Sequence, residues 1–182
     1  DSSYSIWALP VFEHFIGQNE VVDSLSLYVE AAIQRNDPLD HVLLYGPPGL
    51  GKTTLAKIIS NEMGTNFHVT SGAVIQKPSD LINSLMKLKY GDILFIDEIH
   101  RLPKIVEEFL YPSLEDYAID IVMEDDKKGN KQIERIILEK FTIIGATTRA
   151  GMISAPLRDR FGIDYHMEYY DMSDLEYIAK RT

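Results

Sequence analysis

The sequence contains no cysteine among its 182 residues. A disulfide framework, a thiolate metal site and a cysteine nucleophile are therefore excluded. Positive charge is also scarce, because 18 lysines and arginines stand against 28 aspartates and glutamates, which gives a formal net charge of −10. No basic run occurs, so the sequence has no electrostatic grip of its own on duplex DNA. Any contact with nucleic acid has to come from a partner or from another part of a longer protein.

Long apolar runs are missing as well. No stretch approaches the roughly 20 apolar residues that a bilayer-spanning helix needs, and no cationic-then-apolar leader opens the sequence. We therefore expect a soluble, cytoplasmic protein without a membrane partner. A chain of 182 residues with 45% hydrophobic content can bury the core of one domain, so we expect residues 1–182 to form a single domain.

The two ends of the chain carry information of their own. The sequence opens at Asp1 rather than at a methionine, and Ser173–Glu176 has the Ser-x-x-Glu pattern of a capping box. The helix that this box starts has run only two turns when the sequence stops at Thr182. We expect the sequence to be a fragment of a longer protein in which further helical structure follows.

Residues 46–53 carry the most informative motif. Their sequence, GPPGLGKT, fits the phosphate-loop pattern G-x-x-x-x-G-K-[ST] at every fixed position, between a strand-like run at 41–45 and a helix-like run at 54–59. Glycines let successive backbone N–H groups converge on phosphates, and the following helix directs its positive end at them. The pattern predicts a nucleotide site in which Lys52 reaches the β and γ oxygens and Thr53 ligates Mg²⁺.

An acidic pair, Asp97-Glu98, closes the apolar strand-like run at 92–96. Asp97 can hold the Mg²⁺ shell and Glu98 can polarise an attacking water, which predicts hydrolysis of the nucleotide as well as binding. Thr147 and Thr148 follow another strand, at the edge of a parallel sheet where ligands bind. Their position leaves two interpretations open, a contact with the γ-phosphate and simple helix capping or turn chemistry.

Apolar runs alternate with helical patterns along most of the chain. Helical patterns run from Asn19 to about Arg35, from the phosphate loop to about Met63, from Pro78, and from Pro103 with a disturbance at Pro112. Strand-like runs occupy residues 41–45, 66–70, 92–96, 141–146 and 163–167. This alternation predicts an α/β fold with a parallel sheet covered by helices on both faces.

One segment breaks the alternation. Residues 118–123 and 132–138 are both strand-like, and a polar stretch joins them, which predicts a β-hairpin inserted at about 118–139. A surface flap and a docking surface both remain open as interpretations. The segment carries more apolar bulk than a solvated flap needs, in Ile119, Ile121, Ile133, Ile136 and Ile137.

Two arginines, Arg158 and Arg160, lie two positions apart on a short helix-like piece before the last strand. Arginine supplied from a neighbouring subunit is a transition-state stabiliser for phosphoryl transfer. The alternative is an ordinary surface pair with Asp159, and the sequence pattern alone favours that simpler interpretation.

Four runs taken together, residues 40–56, 94–102, 145–151 and 155–162, closely resemble the RuvB family of AAA+ ATPases, the bacterial motors of Holliday junction branch migration. The resemblance implies an AAA+ large ATPase domain that uses ATP and Mg²⁺ and works in a homo-hexamer. It implies catalytic roles for Glu98, for Thr148 at the sensor position, and for Arg160 as the finger that reaches the next subunit. It implies nucleotide contacts from Gly49, Gly51, Lys52, Thr53, Thr54, Asp97, Glu115, Asp116, Tyr117, Arg160 and Tyr170, with Thr53 and Asp97 holding the metal.

The same resemblance implies the partners. The inserted hairpin falls where this family docks RuvA, and four-way junction DNA is reached through RuvA and through the family's small helical and winged-helix domains, which this sequence does not contain. The implied function is an ATP-driven motor for branch migration in recombination and DNA repair, and we expect weak hydrolysis from this domain alone. Three alternatives remain at this point: a clamp-loader-like or unfoldase-like AAA+ ATPase, a translocase with a D-E-x-H box ending at His100, and a nucleotide-binding scaffold without turnover.

Overall fold

The structure, a computed structural model, describes residues 19–124, 127, 129–149 and 152–168. Two features expected from the sequence, the nucleotide contact at Tyr170 and the capping box at Ser173–Glu176, lie outside these residues. None of the helices within the described ranges combines the length and the apolar character that a membrane crossing requires.

Five parallel strands form the central sheet. They are β1 (Val42–Tyr45), β2 (Phe67–Ser71), β3 (Ile93–Asp97), β6 (Thr142–Thr147) and β7 (Ile163–His166). Two further strands, β4 (Ala118–Glu124) and β5 (Lys131–Ile137), lie outside this sheet. The order across the sheet is β2-β3-β6-β1-β7, with every neighbouring pair parallel. The carboxyl ends of β1, β3 and β6, which precede the predicted functional motifs, therefore meet at one edge.

Helices cover both faces of this sheet. They are α1 (Asn19–Arg35), α2 (Lys52–Met63), α3 (Pro78–Met86), α4 (Lys104–Asp116) and α5 (Ala155–Arg158), with a 3₁₀ helix at Ile99–Arg101. Helices α1 and α2 pack into one buried apolar cluster, and α3, α4 and α5 pack into a second. Successive residues of a strand point to opposite faces, so Leu44 and Ile144 belong to the first cluster while Leu43 and Ile143 belong to the second. The predicted parallel sheet covered on both faces is confirmed.

Helix α4 runs through Pro112 and ends only at Asp116. We expected Pro112 to disturb this helix, because proline has no N–H to donate and crowds the preceding turn. The helix nevertheless continues, and the hydroxyl of Ser113 donates to the carbonyl oxygen of Leu110 at 2.6 Å in the same turn. The Tyr117 N–H donates to the carbonyl of Pro112 and closes the helix with a left-handed residue.

The inserted segment is the predicted hairpin, with antiparallel strands β4 (Ala118–Glu124) and β5 (Lys131–Ile137). Its two faces differ in environment. Ile119 is fully buried and Ile121 packs against the second apolar cluster, whereas Ile133 and Ile137 are 71% and 70% exposed. The isoleucines expected in the hairpin are thus divided between an inner face that packs on the domain and an outer face that is exposed.

Candidate nucleotide-binding site

The predicted phosphate loop, acidic pair and sensor threonine surround one cavity of about 420 Å³ at the carboxyl edge of the sheet. Its lining residues are Pro48, Gly49, Gly51, Lys52, Thr53, Thr54, Asp97, Glu98 and Thr148. All of these except Pro48 were predicted from the sequence. Three strands supply them, because the loop follows β1, the acidic pair follows β3 and Thr148 follows β6.

Glycine is needed in the loop for its backbone geometry. Gly49 and Gly51 have φ of 81° and 86°, in the left-handed region that disfavours other residues. Gly51 caps α2 without any side chain, and Leu55 N–H donates to its carbonyl at 2.8 Å as the first helical bond. The preceding N–H groups of the first turn have no partner within a helix, so they are available to an anion at the mouth of α2.

Lys52 lines the cavity and has only 8% of its surface exposed. Its Nζ donates to the carbonyl oxygens of Gly46 and Pro47 at 2.6 and 2.9 Å. Burial lowers the pKa of Lys52, while the negative charge of Asp97 opposes that shift. Among the described residues, this buried ammonium contacts two neutral acceptors and no carboxylate directly, and a phosphate oxygen would supply an anionic partner. The residues present therefore fit a bound phosphate.

The acidic pair occupies a tight turn at the end of β3. Glu98 has φ of 46°, and its N–H donates to the Asp97 carboxylate at 2.9 Å. The Glu98 carboxylate pairs with Arg101 at 3.2 Å across an exposed surface. Asp97 and Thr53 both line the cavity with oxygen atoms, which are the ligands that Mg²⁺ prefers. These two side chains fit the predicted metal site.

The two neighbouring threonines lie in different environments. Thr147 is buried, and its hydroxyl lies 2.9 Å from the Nδ1 atom of His100, whereas Thr148 lines the cavity. The contact between Thr147 and His100 joins the end of β6, which Thr148 follows, to the 3₁₀ helix that follows Glu98.

Two residues near this site were missed or misjudged from the sequence. His100 was considered only as part of a D-E-x-H box, yet it contacts the sensor strand through Thr147. Gly72 was not predicted at all, although it donates its N–H to the Asp97 carbonyl at 2.8 Å and packs against the carbonyl of Glu98. Its only signal in the sequence is a glycine directly after a strand.

Four predicted site residues do not line this cavity within the same chain. Arg160 has its Nε 2.8 Å from the Glu115 carboxylate, in an ion pair without the alignment of a hydrogen bond. Asp116 pairs with Arg135 at 3.2 Å, and Tyr117 packs its ring edge-on against Phe141. These residues gather around the end of α4, outside the lining of this chain's cavity.

Comparison with known proteins places the chain in one family. The model of the Holliday junction DNA helicase RuvB P-loop domain matches residues 10–167. The chain is 60% identical over 168 residues to the Holliday junction branch migration complex subunit RuvB of Lactiplantibacillus plantarum and to that of Oenococcus oeni. Each match covers 92% of this chain and 49% of the relative, so the chain spans about half the length of the curated relatives it matches.

Solved structures agree with this result. The Thermotoga maritima RuvB Holliday junction branch migration motor is 49% identical, with a TM-score of 0.82 over 94% of this chain and 52% of its own. A variant of the same Thermotoga maritima protein superposes with a TM-score of 0.85 at 51% identity, covering 94% of this chain and 53% of its own. The match of the family model over most of the chain, together with these identities, shows that this chain belongs to the RuvB family and carries its P-loop domain.

Proposed function

We propose that this chain is the AAA+ large ATPase domain of a motor subunit that drives Holliday junction branch migration in the cytoplasm, in recombination and DNA repair. It binds ATP with Mg²⁺, hydrolyses it and passes the energy to DNA through other domains of a longer subunit. One observation carries the proposal: Lys52, Thr53, Asp97, Glu98 and Thr148 converge on a single cavity in a member of the RuvB family.

Each residue has a role set by its position. Lys52 exchanges its loop carbonyls for the β and γ oxygens of ATP, and the loop amides hold the same phosphates. Glu98 orients and polarises the attacking water, and Thr148 contacts the γ-phosphate. Thr53 and Asp97 would hold Mg²⁺, which neutralises charge on the phosphate oxygens when it is bound.

Arg160 acts on the nucleotide of a neighbouring copy. It lies outside its own chain's cavity, and its side chain remains 25% exposed. Glu115 contacts it, and Asp116 and Tyr117 follow on the same segment, so these three residues would meet the neighbour's nucleotide beside the finger. In a homo-hexameric ring, every nucleotide site lies at a border between two subunits, where the neighbouring subunit supplies Arg160.

The outer face of the hairpin is proposed as the docking site for RuvA. Val122, Ile133 and Ile137 are more than half exposed on this face. Val122 pairs with Ile133 in the register, and the ion pair between Arg135 and Asp120 lies beside them. Four-way junction DNA is reached through RuvA and through the small helical and winged-helix domains of the longer protein, which suits a sequence with a net charge of −10.

Family membership favours this function over a clamp-loader-like or unfoldase-like ATPase and over a D-E-x-H translocase. The scaffold without turnover is separated by experiment. Full-length subunits carrying Glu98→Gln bind ATP but lack the group that polarises water, and subunits carrying Arg160→Ala lack the finger. Each variant alone should lose ATPase activity by at least a hundredfold, on the scale known for catalytic arginines.

Mixing the two variants provides the decisive measurement. Where the two variants are neighbours, the Arg160→Ala subunit supplies an intact cavity with Glu98 and the Glu98→Gln subunit supplies an intact Arg160. Such a border has a complete site, so a substantial part of the ATPase activity should return. Arg158→Ala, two positions away and exposed, is the matched control and should keep full activity. A mixture as inactive as its components, or an Arg160→Ala protein as active as the wild type, would refute hydrolysis across a border between subunits.

A further inference from the structure

Three contacts fix the side chain of Arg160. Its Nη1 donates to the carbonyl oxygen of Pro156 at 2.7 Å, and its Nε lies 2.8 Å from the Glu115 carboxylate. The guanidinium carbon also lies 4.0 Å from the centroid of the Tyr111 ring. This distance is typical of a guanidinium stacked on an aromatic face.

The Tyr111 ring is itself held in place. Its hydroxyl donates to the Glu107 carboxylate at 2.6 Å, one helical turn earlier on α4. The hydroxyl of Ser154 donates to the same carboxylate oxygen, and it also accepts the N–H of Leu157 as the N-cap of α5. Glu107 thus joins the ring on α4 to the start of the segment that carries Arg160.

The contact with the Tyr111 ring differs from the other two contacts of Arg160 in its effect on the charge and the N–H donors of the guanidinium. Glu115 has a side chain that is 50% exposed, so water screens its ion pair with Arg160. The Glu115 carboxylate also partly neutralises the positive charge with which Arg160 would stabilise the neighbour's phosphates. The Pro156 carbonyl occupies one N–H donor. Stacking on Tyr111 fixes the plane of the guanidinium without using any of its N–H donors, which stay available to a phosphate.

We propose that Tyr111 is a positioning residue for Arg160, which holds the guanidinium oriented for the nucleotide of the neighbouring copy. Glu107 and Ser154 keep the ring at the correct distance from the α5 segment. This inference rests on the proposed function of Arg160 and adds the residue on which its action depends. Tyr111 does not line the cavity of its own chain, and its contact with Arg160 is the route by which it would act.

The test compares full-length Tyr111→Met with Tyr111→Phe. Methionine fills similar space without an aromatic face, whereas phenylalanine keeps the face and loses only the bond to Glu107. We expect Tyr111→Met to lower the kcat of the assembled ATPase three- to thirtyfold, the range that a lost cation–π contact spans, with KM for ATP changed less than twofold. Tyr111→Phe should keep at least a third of kcat. Tyr111→Leu is the second variant without a π face, should Tyr111→Met not fold.

Two further measurements show that the effect passes through Arg160. The double variant Tyr111→Met, Arg160→Ala should be no slower than Arg160→Ala alone, because the ring has nothing left to position. Mixing Tyr111→Met subunits with Glu98→Gln subunits should restore activity, since the latter bring an intact finger to the intact cavities of the former.

The outcomes distinguish a failure of the positioning role of Tyr111 from a failure of the proposed function of Arg160. If mixing fails to restore the activity of Arg160→Ala subunits, the proposed function fails and Tyr111 loses its role with it. If that mixing succeeds but Tyr111→Met keeps the wild-type kcat, or slows Arg160→Ala further, only the role of Tyr111 is overturned. A loss in Tyr111→Phe equal to that in Tyr111→Met also overturns it, because the aromatic face would then be irrelevant.

Discussion

Gly72 packs directly against the backbone of Glu98. A Cβ on Gly72 would overlap the Glu98 carbonyl oxygen and would lie 3.0 Å from the amide nitrogen of Leu102. The N–H of Gly72 donates to the carbonyl of Asp97 at 2.8 Å. The φ of Gly72 is not in the left-handed region, so space rather than backbone geometry requires glycine here.

Replacing Gly72 by alanine should therefore displace the turn that carries Glu98. We expect Gly72→Ala to lower the kcat of the assembled ATPase by about ten- to a hundredfold, because small misplacements of a catalytic group cost that much. The affinity for a non-hydrolysable ATP analogue should change less than threefold, since the phosphate loop is untouched. Both quantities are measurable on the same preparation.

Gly64→Ala is the control for a loss of stability alone. Gly64 ends α2 at φ 69° with open space around it, so alanine there costs about 1 kcal/mol of backbone strain away from the cavity. Its kcat should equal that of the wild type. Equal kcat losses in Gly72→Ala and Gly64→Ala would contradict a specific role for the contact with Glu98.

Removing the Lys52 ammonium should weaken nucleotide binding without weakening the fold. Burial lowers the pKa of Lys52, because the charged form is poorly solvated there. We expect Lys52→Met to unfold at the same temperature as the wild type or higher when no nucleotide is present. Saturating ATP should raise the unfolding temperature of the wild type and leave Lys52→Met unchanged, as differential scanning fluorimetry can show.

Lys57→Met provides the matched control on the same helix. Lys57 is exposed on α2, away from the residues that line the cavity. This variant should keep the full stabilisation by ATP. A Lys52→Met protein that ATP still stabilises as strongly would show that the nucleotide binds elsewhere.

The chemistry of the cavity could be predicted from the sequence because its parts are local. The phosphate loop and the acidic pair are each defined by neighbouring residues, and each follows an apolar strand, so pattern and chain order place Lys52 and Asp97 at the same edge of the sheet. The local pattern alone could not distinguish Thr147 from Thr148, and only the family resemblance singled out Thr148. The difference depends on which of two adjacent side chains points to the cavity where β6 ends.

Contacts between distant segments could not be predicted from the sequence, for a different reason. The closeness of Gly72 to Glu98 depends on the pairing of β2 with β3, and the stacking of Arg160 on Tyr111 joins residues from α4 and the end of α5. The exposure of the hairpin isoleucines depends on strand register, since a shift by one residue would exchange the buried and outer faces. None of these relationships leaves a local pattern.

The proposed docking of RuvA on the outer face of the hairpin can be tested by substitution. We expect Ile133→Ser in the full-length protein to weaken RuvA binding at least tenfold, because a 71% exposed isoleucine at an interface loses its apolar contact on substitution. Basal ATPase activity and unfolding temperature should stay at wild-type values. Titration calorimetry with purified RuvA measures the affinity.

Glu134→Ser is the control next to it in β5, an exposed residue of the same hairpin on the opposite face. It should bind RuvA with no more than a threefold change. If Ile133→Ser binds RuvA as tightly as the wild type, and Ile137→Ser does the same, the proposed docking face is wrong.

We expect His41 to make the stability of the domain sensitive to acid. Its ring is buried, and its Nδ1 accepts the N–H of Ile143 at 2.9 Å while its Nε2–H donates to the carbonyl of Leu114 at 3.1 Å. Both contacts require the neutral ring with its proton on Nε2, since a proton on Nδ1 would face the N–H of Ile143. Burial lowers the pKa of His41 to about 4, against a small opposing effect of the bond to Leu114 and the charge of Asp40.

The sign of the pH dependence follows from this lowered pKa. Between about pH 6.5 and pH 4, His41 is protonated in the unfolded chain but neutral in the folded domain. The free energy of unfolding is therefore highest above pH 6.5 and decreases as the pH falls towards 4. The loss from this group is on the order of 3 kcal/mol. We expect His41→Gln to be less stable at pH 7 but to lose much less free energy of unfolding over the same interval, as urea denaturation at a series of pH values would show. If the free energy of unfolding falls by the same amount between pH 6.5 and pH 4 in the wild type and in His41→Gln, groups other than His41 cause the acid sensitivity.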